Sequence, residues 1–529
     1  MLGRAFRAAQ GGRRTLLEGM VQLIRRHPGG LLAGAFSALV ALEIVFIGST
    51  LGLLPFAPYA FGLAVVDALP GSLSSAVIDA LQFWAKRLLE VGVVGLVLAT
   101  GALGGALVAA GATRGRAVLV AAIPWALSIV GASVSSSRQF DPVGTTIASV
   151  VGLAAYSAAL SWSASRLEVP ADASRRRTLL GLGAIVVALG AGGMFLSSLG
   201  RRGVAVARQL VLARPPVVTV APFASEDPAF DATPGLSPQL TANDAFYVVD
   251  TALFKPTIDA STWRLAIDGH VDHPYDLGYD DLLAMDAIEQ VQTLECISNP
   301  VGGDLISTAK WVGVRMADLL ARAGVRSEAY DLVMTSTDGY TDSIPIQKAL
   351  EPTTLVVYGM NGDVLPIDHG YPARVLVPDI YGMKNVKWLV RLTVENYDYK
   401  GYWQDRGWAD PAVIVTNSRI DVPQPTVAWS GGPLRIAGIA HAGARGIAKV
   451  EVSTDQGRTW ADATLGREIN GFTWRRWFFN WTPAGSGEAK VMVRATDGKG
   501  VPQVSSPRDP FPAGATGYHL VTVRITKAS

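Results

Sequence analysis

The sequence predicts a multi-domain protein in which an N-terminal α-helical membrane bundle precedes an α+β domain and then an all-β sandwich. Three observations support this fold class. Long apolar runs are confined to residues 30–200, short β-type runs alternate with short helical stretches over 242–409, and strands separated by turns recur from 410 onward. Of the 529 residues, 49% are hydrophobic and only 17% are charged, and the apolar excess is concentrated in the first part.

The first part contains five segments that are long enough to cross a membrane, since a spanning helix needs about 20 mostly apolar residues. They lie at residues 31–54, 89–111, 117–134, 144–163 and 178–198, and together they define a transmembrane region at 31–200. The stretch 55–88 is interrupted by prolines and aspartates, so we interpret it as a loop with an amphipathic or re-entrant helix around 77–89. A sixth span within this stretch is the alternative.

Arginines are concentrated on one side of the predicted spans, and the side richer in basic residues is normally cytoplasmic. Six of them lie in segment 1–30, which we interpret as a cytoplasmic N-terminus. An odd number of spans then places everything after residue 200 on the extracytoplasmic side of the cell membrane. The run Ser174–Leu180, Ser-Arg-Arg-Arg-Thr-Leu-Leu, resembles a twin-arginine export signal, and a simple basic flank is the alternative interpretation.

Polar groups and charge limit the partners that we expect. Glu43 lies in the middle of the first predicted span, where a structural hydrogen bond and a role in proton relay or quinone contact are both open. No histidine lies within a predicted span, so we do not expect the bundle to bind b-type haem. The net charge of +2 gives no reason to expect a nucleic-acid partner, whereas the apolar segments imply membrane lipid.

The second part divides into a linker and two domains. Residues 201–241 are rich in Pro, Ser, Asp and Thr and are predicted to be a linker. The α+β pattern occupies 242–409. Roughly seven strands with turns between them follow in 410–529, which is typical of an immunoglobulin-like sandwich.

Cys296 is the only cysteine in the chain, which excludes an intramolecular disulfide, a Cys-rich zinc site and an iron–sulfur cluster held by this chain alone. A lone cysteine is most often a small buried hydrophobic residue. Here it lies in Thr293–Asn299, Thr-Leu-Glu-Cys-Ile-Ser-Asn, where a β-type run enters a Gly-rich loop at 301–304. A thiolate at the end of a strand is well placed to bind a soft metal whose other ligands come from a bulky cofactor.

Several ordered blocks share a pattern with one enzyme family. They are Thr293–Asn299, Ala309–Leu320, Thr337–Pro345, Tyr358–Arg374, Pro378–Trp388, Val450–Trp460 and Phe472–Trp477. In this order they resemble the sulfite oxidase family of molybdopterin-dependent oxidoreductases, in its membrane-anchored bacterial type, over nearly all of residues 242–527. The resemblance implies a sulfite-oxidase-like molybdopterin domain at 242–409 and an immunoglobulin-like domain of the Mo-co dimerisation type at 410–529.

The resemblance also implies the molybdenum cofactor, molybdopterin, and the residues that hold it. Cys296 is the implied thiolate ligand of molybdenum, and Tyr340 is the tyrosine that hydrogen-bonds near the metal's exchangeable oxygen. Arg475, with Arg476 as the alternative, is the implied substrate-side arginine from the sandwich. The implied cofactor-binding residues are His369, Arg374, Asn385, Val386 and Lys387 and, with a looser alignment, Asn243, Tyr247, Thr335 and Thr337. Arg, Lys and backbone N–H groups suit the phosphate of such a cofactor.

Three positions depart from the family in a way that bears on the substrate. Relatives surround anionic sulfite with arginines, whereas Val249 stands at one of those positions and Pro300 and Val301 at another. Because each charged hydrogen bond contributes roughly 1.5–3 kcal/mol, these replacements weaken anion binding. We therefore expect a neutral oxo donor or acceptor, such as a sulfoxide or an N-oxide, rather than sulfite.

The predicted reaction is a two-electron oxygen-atom transfer outside the cytoplasm. Its electrons require an external partner, a cytochrome or a quinone, because the chain carries no haem or flavin motif. The resemblance also implies a homodimer through the sandwich. The competing interpretation is a non-enzymatic membrane protein that displays an immunoglobulin-like binding module.

Overall fold

The computed structural model describes residues 21–50, 53–69, 83–134, 140–167, 227–252 and 258–527, together with residues 19, 208, 209, 211, 216, 255 and 256. The chain divides into two compact units, residues 1–70 with 80–201 and residues 71–79 with 202–529. The fifth predicted span at 178–198 and the twin-arginine-like run Ser174–Leu180 lie outside the described residues, as does part of the linker 201–241.

The first unit is helical in its described part. Its helices are α1 Pro28–Thr50, α2 Pro58–Asp67, α3 Phe83–Ala109, α4 Arg114–Ala121, α5 Ile123–Val134 and α6 Pro142–Leu167. Four described segments are long and apolar enough to cross a membrane: Pro28–Ser49, Arg87–Ala109, Arg114–Val134 and Pro142–Ser163. They overlap the first four predicted spans. Helix α2 is only about 15 Å long at 1.5 Å per residue, too short to span, and residues 83–89 form the beginning of α3.

Glycines allow α1 and α3 to pack closely. A Cβ atom on Gly34 or Gly105 would collide with the backbone of the facing helix, at Gly101 and Gly30 respectively. The hydroxyl of Tyr156 on α6 donates to the Gly101 carbonyl oxygen at 2.8 Å. Small residues at such crossings are the usual means by which apolar helices approach each other.

The second unit begins its regular structure with an α+β region. Its helices are α7 Pro228–Asp231, α8 Tyr279–Ala284, α9 Met316–Ala323 and α10 Ile346–Ala349. Its strands are β1 Arg264–Gly269, β2 Tyr275–Gly278, β3 Ala287–Glu295, β4 Ile306–Arg315, β5 Asp331–Ser336, β6 Thr341–Pro345, β7 Leu355–Met360, β8 Asp363–Val364, β9 Arg374–Leu376 and β10 Leu389–Glu395. One sheet has the order β2-β1-β10-β5-β6, and the other has the order β3-β4-β7-β8 with β9 paired to β7.

Both sheets and α9 share one hydrophobic core. Helix α9 buries Met316, Leu319, Leu320 and Ala323, which recur at the spacing of one helical face. The helix ends at Gly324, whose φ of +72° provides the left-handed conformation of a C-terminal cap. Strand β7 is buried along its whole length because it lies between β4 and β9. The core thus fixes the ends of β3 and β9, from which the site residues extend.

The last part of the second unit is all β. Its strands are β11 Asn417–Val422, β12 Thr426–Trp429, β13 Leu434–His441, β14 Ile447–Ser453, β15 Ala461–Asp462, β16 Thr464–Leu465, β17 Arg475–Trp481, β18 Gly487–Asp497 and β19 His519–Lys527. They form two sheets, β11-β13-β17-β16 and β12-β19-β18-β14-β15. Alternate residues of β18, including Val491 and Val493, are buried in one core with Trp477 from the other sheet. The predicted β-rich character is confirmed.

Candidate active site

An open cavity lies between the segment that follows β3, the segment that follows β5 and the segments on either side of β9. Its empty space, including the mouth, is about 1010 Å³. Eight of the twelve residues that the sequence singles out line it: Tyr247, Cys296, Tyr340, His369, Arg374, Asn385, Val386 and Lys387. The cavity therefore gathers most of the predicted site, although the residues come from distant parts of the sequence.

Cys296 is the first residue after β3. It is 8% exposed and lines the cavity, and its Sγ lies 3.0 Å from Ser298 Oγ. Its backbone N–H donates to the Leu305 carbonyl oxygen at 2.9 Å, which closes the loop between β3 and β4. The strand end and the loop closure together hold the thiol in the cavity wall.

The side chain of Asn299, the last residue of the cysteine motif, forms hydrogen bonds that only an amide could make in this place. Its Oδ1 accepts the Leu305 backbone N–H at 3.0 Å, and its Nδ2 donates to Glu295 Oε1 at 3.1 Å. Asn417, on β11, donates to Glu295 Oε2 at 2.9 Å. Burial raises the pKa of Glu295 to about 7, and the Asn299 and Asn417 hydrogen bonds oppose that rise. One buried carboxyl thus ties the cysteine loop to the first strand of the sandwich.

Arg374, on β9, is a cation enclosed in the cavity wall. It is 4% exposed, and it donates to the carbonyl oxygens of His369 at 3.1 Å and Asn385 at 2.9 Å. Among the described residues no carboxylate forms an ion pair with it. Burial lowers the pKa of Arg374 to about 10, so the side chain remains charged at neutral pH. A buried cation without a counterion is stabilised by a bound anion.

Lys387 is the second enclosed cation. Its Nζ lies 2.9 Å from Asp250 Oδ2 and 3.1 Å from the Asp368 carbonyl oxygen. Burial lowers the pKa of Lys387, and Asp250 acts against that shift. Asp250 also lines the cavity, and its ion pair with Lys387 balances the charge of that lysine. The positive charge of Arg374 therefore remains unbalanced among the described lining residues.

His369 is neutral at neutral pH. Burial lowers its pKa to about 4. Its Nε2 lies 2.9 Å from the Asn243 carbonyl oxygen, and because a carbonyl only accepts, Nε2 carries the proton and Nδ1 is an acceptor. Gly370 follows with φ of +111°, a conformation that a larger residue rarely adopts, and this turn leads the chain into β9.

Three predicted residues lie outside the cavity lining, and hydrogen bonds connect two of them to lining residues. Asn243 orients His369 through its backbone carbonyl, while its side-chain oxygen accepts from Asn361 Nδ2 at 2.8 Å. Thr337 donates to the Trp388 carbonyl oxygen at 3.1 Å, and Thr335 lies within β5. None of the three is among the residues that line the cavity.

Arg475 lies away from the cavity lining. It begins β17, and its guanidinium donates to the carbonyl oxygens of Gly466 at 3.0 Å and Ile447 at 2.8 Å. Its neighbour Arg476 pairs with Asp231 at 2.6 Å. The structure therefore does not bring the predicted sandwich arginine to the cavity, because carbonyl groups of the sandwich hold it.

The lining residues that the sequence reasoning missed include Asp250, Asp338, Trp403 and Trp408. Trp408 is the most informative, because its buried Nε1–H has no hydrogen-bond partner within the described part of the chain. A buried donor is normally satisfied, so an unsatisfied one in a cavity-lining side chain is available to a bound group. No sequence signal marks it, since tryptophans are usually packing residues.

Comparison with known proteins identifies the type of site. Residues 252–403 match the family described as the oxidoreductase molybdopterin binding domain, and residues 412–508 match the Mo-co oxidoreductase dimerisation domain. An uncharacterised oxidoreductase, YuiH from Bacillus subtilis (strain 168), is 30% identical over 171 residues, which cover 32% of this chain and 84% of that protein. The chain belongs to the sulfite oxidase family of molybdopterin-dependent oxidoreductases.

Other members and a solved structure extend the comparison. Mitochondrial sulfite oxidase from Mus musculus is 33% identical over 325 residues, which cover 52% of this chain and 59% of that enzyme. This chain thus spans less than two thirds of the mouse enzyme's length. The sulfane dehydrogenase SoxCD from Paracoccus pantotrophus aligns with a TM-score of 0.49 and 24% identity, over 57% of this chain and 87% of that chain. The protein is an enzyme, and the non-enzymatic interpretation is wrong.

The cofactor of this enzyme is the molybdenum cofactor, and the cavity suits it chemically. The Cys296 thiol is a soft donor of the kind that binds such a metal. Arg374 supplies a buried positive charge without a counterion, which an anionic phosphate would neutralise. The neutral His369 offers Nδ1 as an acceptor for an N–H donor such as those of a pterin. The metal donor, the buried positive charge and the enclosure of the cavity therefore all suit the molybdenum cofactor.

Proposed function

We propose that this oxidoreductase is anchored in the membrane and carries out two-electron oxygen-atom transfer outside the cytoplasm on a substrate that is not sulfite. The observation that carries the proposal is the composition of the cavity wall. A thiol, two buried cations and a neutral histidine lie within it, and the rest of the described lining is largely aromatic and aliphatic.

The residues divide into metal, cofactor and substrate roles. Cys296 is the thiolate ligand of molybdenum, and Arg374 and Lys387 bind the phosphate and pterin end, with the backbone of Asn385 and Val386 beside them. When bound, the cofactor supplies the oxygen-atom transfer. The chain's own residues orient the cofactor, exclude water and fix the hydrogen-bond donors and acceptors around it. Tyr340 contacts the reacting end.

Positive charge in the cavity lining limits the substrates that the cavity suits. Among the described lining residues the cations are Arg374 and Lys387, and Asp250 already neutralises the second. Val249 lines the cavity, whereas Pro300 and Val301 belong to the wall of a separate small cavity. An anion such as sulfite would lack charged hydrogen bonds worth roughly 1.5–3 kcal/mol each. A neutral sulfoxide or N-oxide suits these surroundings better.

The location proposal rests on the apolar N-terminal helices and on the arginine distribution. Four described helical segments are long and apolar enough to span, and a fifth at 178–198 would place residues 201–529 outside the cytoplasm. The run Ser174–Leu180 would then serve as a twin-arginine signal, since that route accepts proteins already folded around a cofactor. Protease added to intact spheroplasts should digest residues 201–529. Cleavage of these residues only after lysis would contradict the proposed orientation.

The division of the chain, its oligomeric state and its electron partner are part of the same proposal. We divide the chain into a basic segment 1–30, spans in 31–200, a linker 201–241, the catalytic domain 242–409 and an immunoglobulin-like sandwich 410–529. The match of 412–508 to a dimerisation domain favours a homodimer through the sandwich. Electrons pass to or from a separate cytochrome or quinone, and Glu43 is a candidate contact for a quinone.

Substrate screening of the purified membrane enzyme tests the proposal. The preparation should contain about one molybdenum per chain and should reduce sulfoxides or N-oxides, or form them from the reduced compounds, with an artificial electron carrier. Sulfite oxidation with a KM in the micromolar range would contradict the substrate proposal. Absence of molybdenum from active protein would contradict the assignment of the site.

A further inference from the structure

The hydroxyl proton of Tyr340 has two acceptors inside the protein. Tyr340 Oη lies 2.9 Å from Asp342 Oδ2 and 2.9 Å from the carbonyl oxygen of Met383. A carboxylate and a carbonyl accept hydrogen bonds and donate none. Because a phenol has a single proton, that proton is held within the protein. Any hydrogen bond between Tyr340 and a ligand in the cavity that this residue lines would therefore be accepted by the lone pair of its oxygen.

A buried ion pair holds this arrangement in place. Both Lys384 and Asp342 have fully buried side chains, and Lys384 Nζ lies 2.9 Å from Asp342 Oδ1. The other two ammonium protons of Lys384 are directed to the Ser343 carbonyl oxygen at 2.7 Å and to Asp410 Oδ1 at 3.0 Å. All three donors of Lys384 are thus used, and Asp342 lies between its positive charge and Tyr340.

The surrounding charges favour an ionised Asp342 and a protonated Tyr340. Burial raises the pKa of Tyr340 well above its usual range, and Asp342 raises it further. Burial also raises the pKa of Asp342, while the Lys384 charge opposes that rise. The other titratable groups that face Tyr340 are Asp338, which accepts its backbone N–H at 3.1 Å, and Tyr402, whose ring centroid lies 5.8 Å away. Whichever way Asp342 titrates, the Met383 carbonyl remains an acceptor for the Tyr340 proton.

We propose that Tyr340 acts in the cavity as a hydrogen-bond acceptor, positioned by the Asp342–Lys384 pair, and that it thereby selects neutral ligands over anions, most strongly those that bear an O–H or N–H donor. The inference deepens the proposed function and rests on it, because it assigns the rejection of anions to named residues. An anion brings only acceptors, so it would meet the lone pair of Tyr340 with the negative end of a buried ion pair behind it. A neutral ligand such as a sulfoxide brings no negative charge to this oxygen, and water or a neutral hydroxyl or amide compound also brings a donor for its lone pair.

A matched pair of ligands tests the proposal by direct binding. Methanesulfonamide and methanesulfonate have nearly the same size, but the first is neutral with N–H donors and the second is an anion with acceptors only. Titration calorimetry on the purified cofactor-loaded enzyme should give at least tenfold tighter binding of the sulfonamide. Equal binding, or tighter binding of the sulfonate, would overturn the proposal.

Asp342→Asn should reduce that preference at least tenfold. Lys384 and the Ser343 backbone N–H, which both donate to Asp342 Oδ1, would hold the asparagine carbonyl oxygen in that place, so its amide nitrogen would face Tyr340 and donate to the lone pair. Asp410→Asn is the matched control, because it removes a carboxylate from the same lysine without touching Tyr340. Its preference should remain within twofold of wild type, whereas equal losses in both variants would indicate a general charge effect and contradict the proposal.

Tyr340→Phe decides the matter if Asp342→Asn does not fold. It removes the acceptor oxygen and leaves the buried pair intact, so the preference for methanesulfonamide should be lost. An unchanged preference in Tyr340→Phe would refute the role of Tyr340. Molybdenum content measured on the same samples reports separately on the proposed function, so a failure of one is distinguishable from a failure of the other.

Discussion

Lys387 Nζ lies 2.9 Å from Asp250 Oδ2 across 137 positions of sequence. Side-chain exposure is 12% for the lysine and 6% for the aspartate. The pair attaches the segment that precedes β1 to the segment that precedes β10, and both residues line the cavity. It therefore links the local fold to the charge balance of the site.

Asp250→Asn should destabilise the cofactor-free protein more than the cofactor-loaded protein. The substitution removes the carboxylate that is paired with Lys387, and breaking a buried pair costs about 3–5 kcal/mol. A bound phosphate would compensate part of that loss. Thermal unfolding of both forms measures the difference, and an equal fall in Tm for both forms would contradict the phosphate assignment.

Trp408→Phe should lower turnover and should destabilise the protein less than Trp263→Phe does. The Nε1–H of Trp408 has no partner in the described part of the chain, so the protein loses no internal hydrogen bond. Trp263→Phe is the control, because Trp263 Nε1 donates to the Leu389 carbonyl oxygen at 2.8 Å and its loss should cost about 1–2 kcal/mol. A Trp408→Phe enzyme that is destabilised and fully active would show that the indole N–H has a structural partner.

Asn299→Ala should reduce molybdenum content. It removes the acceptor for the Leu305 N–H and a donor to Glu295, so the loop that carries Cys296 loses one of the hydrogen bonds that close it. The expected loss of stability is about 1–3 kcal/mol. Asn417→Ala also removes a donor to Glu295 but leaves the loop closed, so it should retain more metal. Equal metal loss in the two variants would assign the effect to Glu295 instead.

His369 should make the folded protein less stable as pH falls below about 6.5. Its pKa is about 4 in the folded state, against 6.5 for an exposed histidine, so the unfolded chain takes up the proton first. The stability contribution is complete above pH 6.5 and declines between pH 6.5 and 4, by up to about 3 kcal/mol. Unfolding curves of wild type and His369→Gln across this range should differ in slope. Parallel curves would mean that His369 is not buried as a neutral ring.

Much of the fold could be predicted from local pattern. The apolar runs predict α1, α3 and α6 because length and hydropathy are local properties. The spacing of Met316, Leu319, Leu320 and Ala323 likewise predicts one buried helical face. Span 117–134 was predicted as one segment, whereas the structure divides it into α4 and α5 near Pro124, since proline cannot donate an intrahelical hydrogen bond.

The site was predictable where motifs carry it and not where tertiary contacts create it. Cys296, His369, Arg374 and Lys387 lie in ordered blocks, and the structure gathers them at one cavity. Asp250 could not be found, because its role depends on a contact over 137 positions.

Arg475 is a residue that the sequence predicts at the site and that the structure places away from the cavity. The sequence places an arginine at the right point of the sandwich, but only the structure reveals that neighbouring carbonyl groups hold its guanidinium. Arginine has five donors and no acceptor, so its partners depend on which carbonyls the surrounding strands present.

X-ray absorption at the molybdenum edge tests the central claim most directly, because it counts the sulfur atoms around the metal. Wild-type enzyme should show one more sulfur neighbour than Cys296→Ser, and the variant should remain folded but lose turnover. Ser298→Ala, which changes the hydroxyl 3.0 Å from the thiol, is the control and should keep the wild-type sulfur count. An unchanged sulfur count in Cys296→Ser, with turnover retained, would contradict the assignment of Cys296 as the metal ligand.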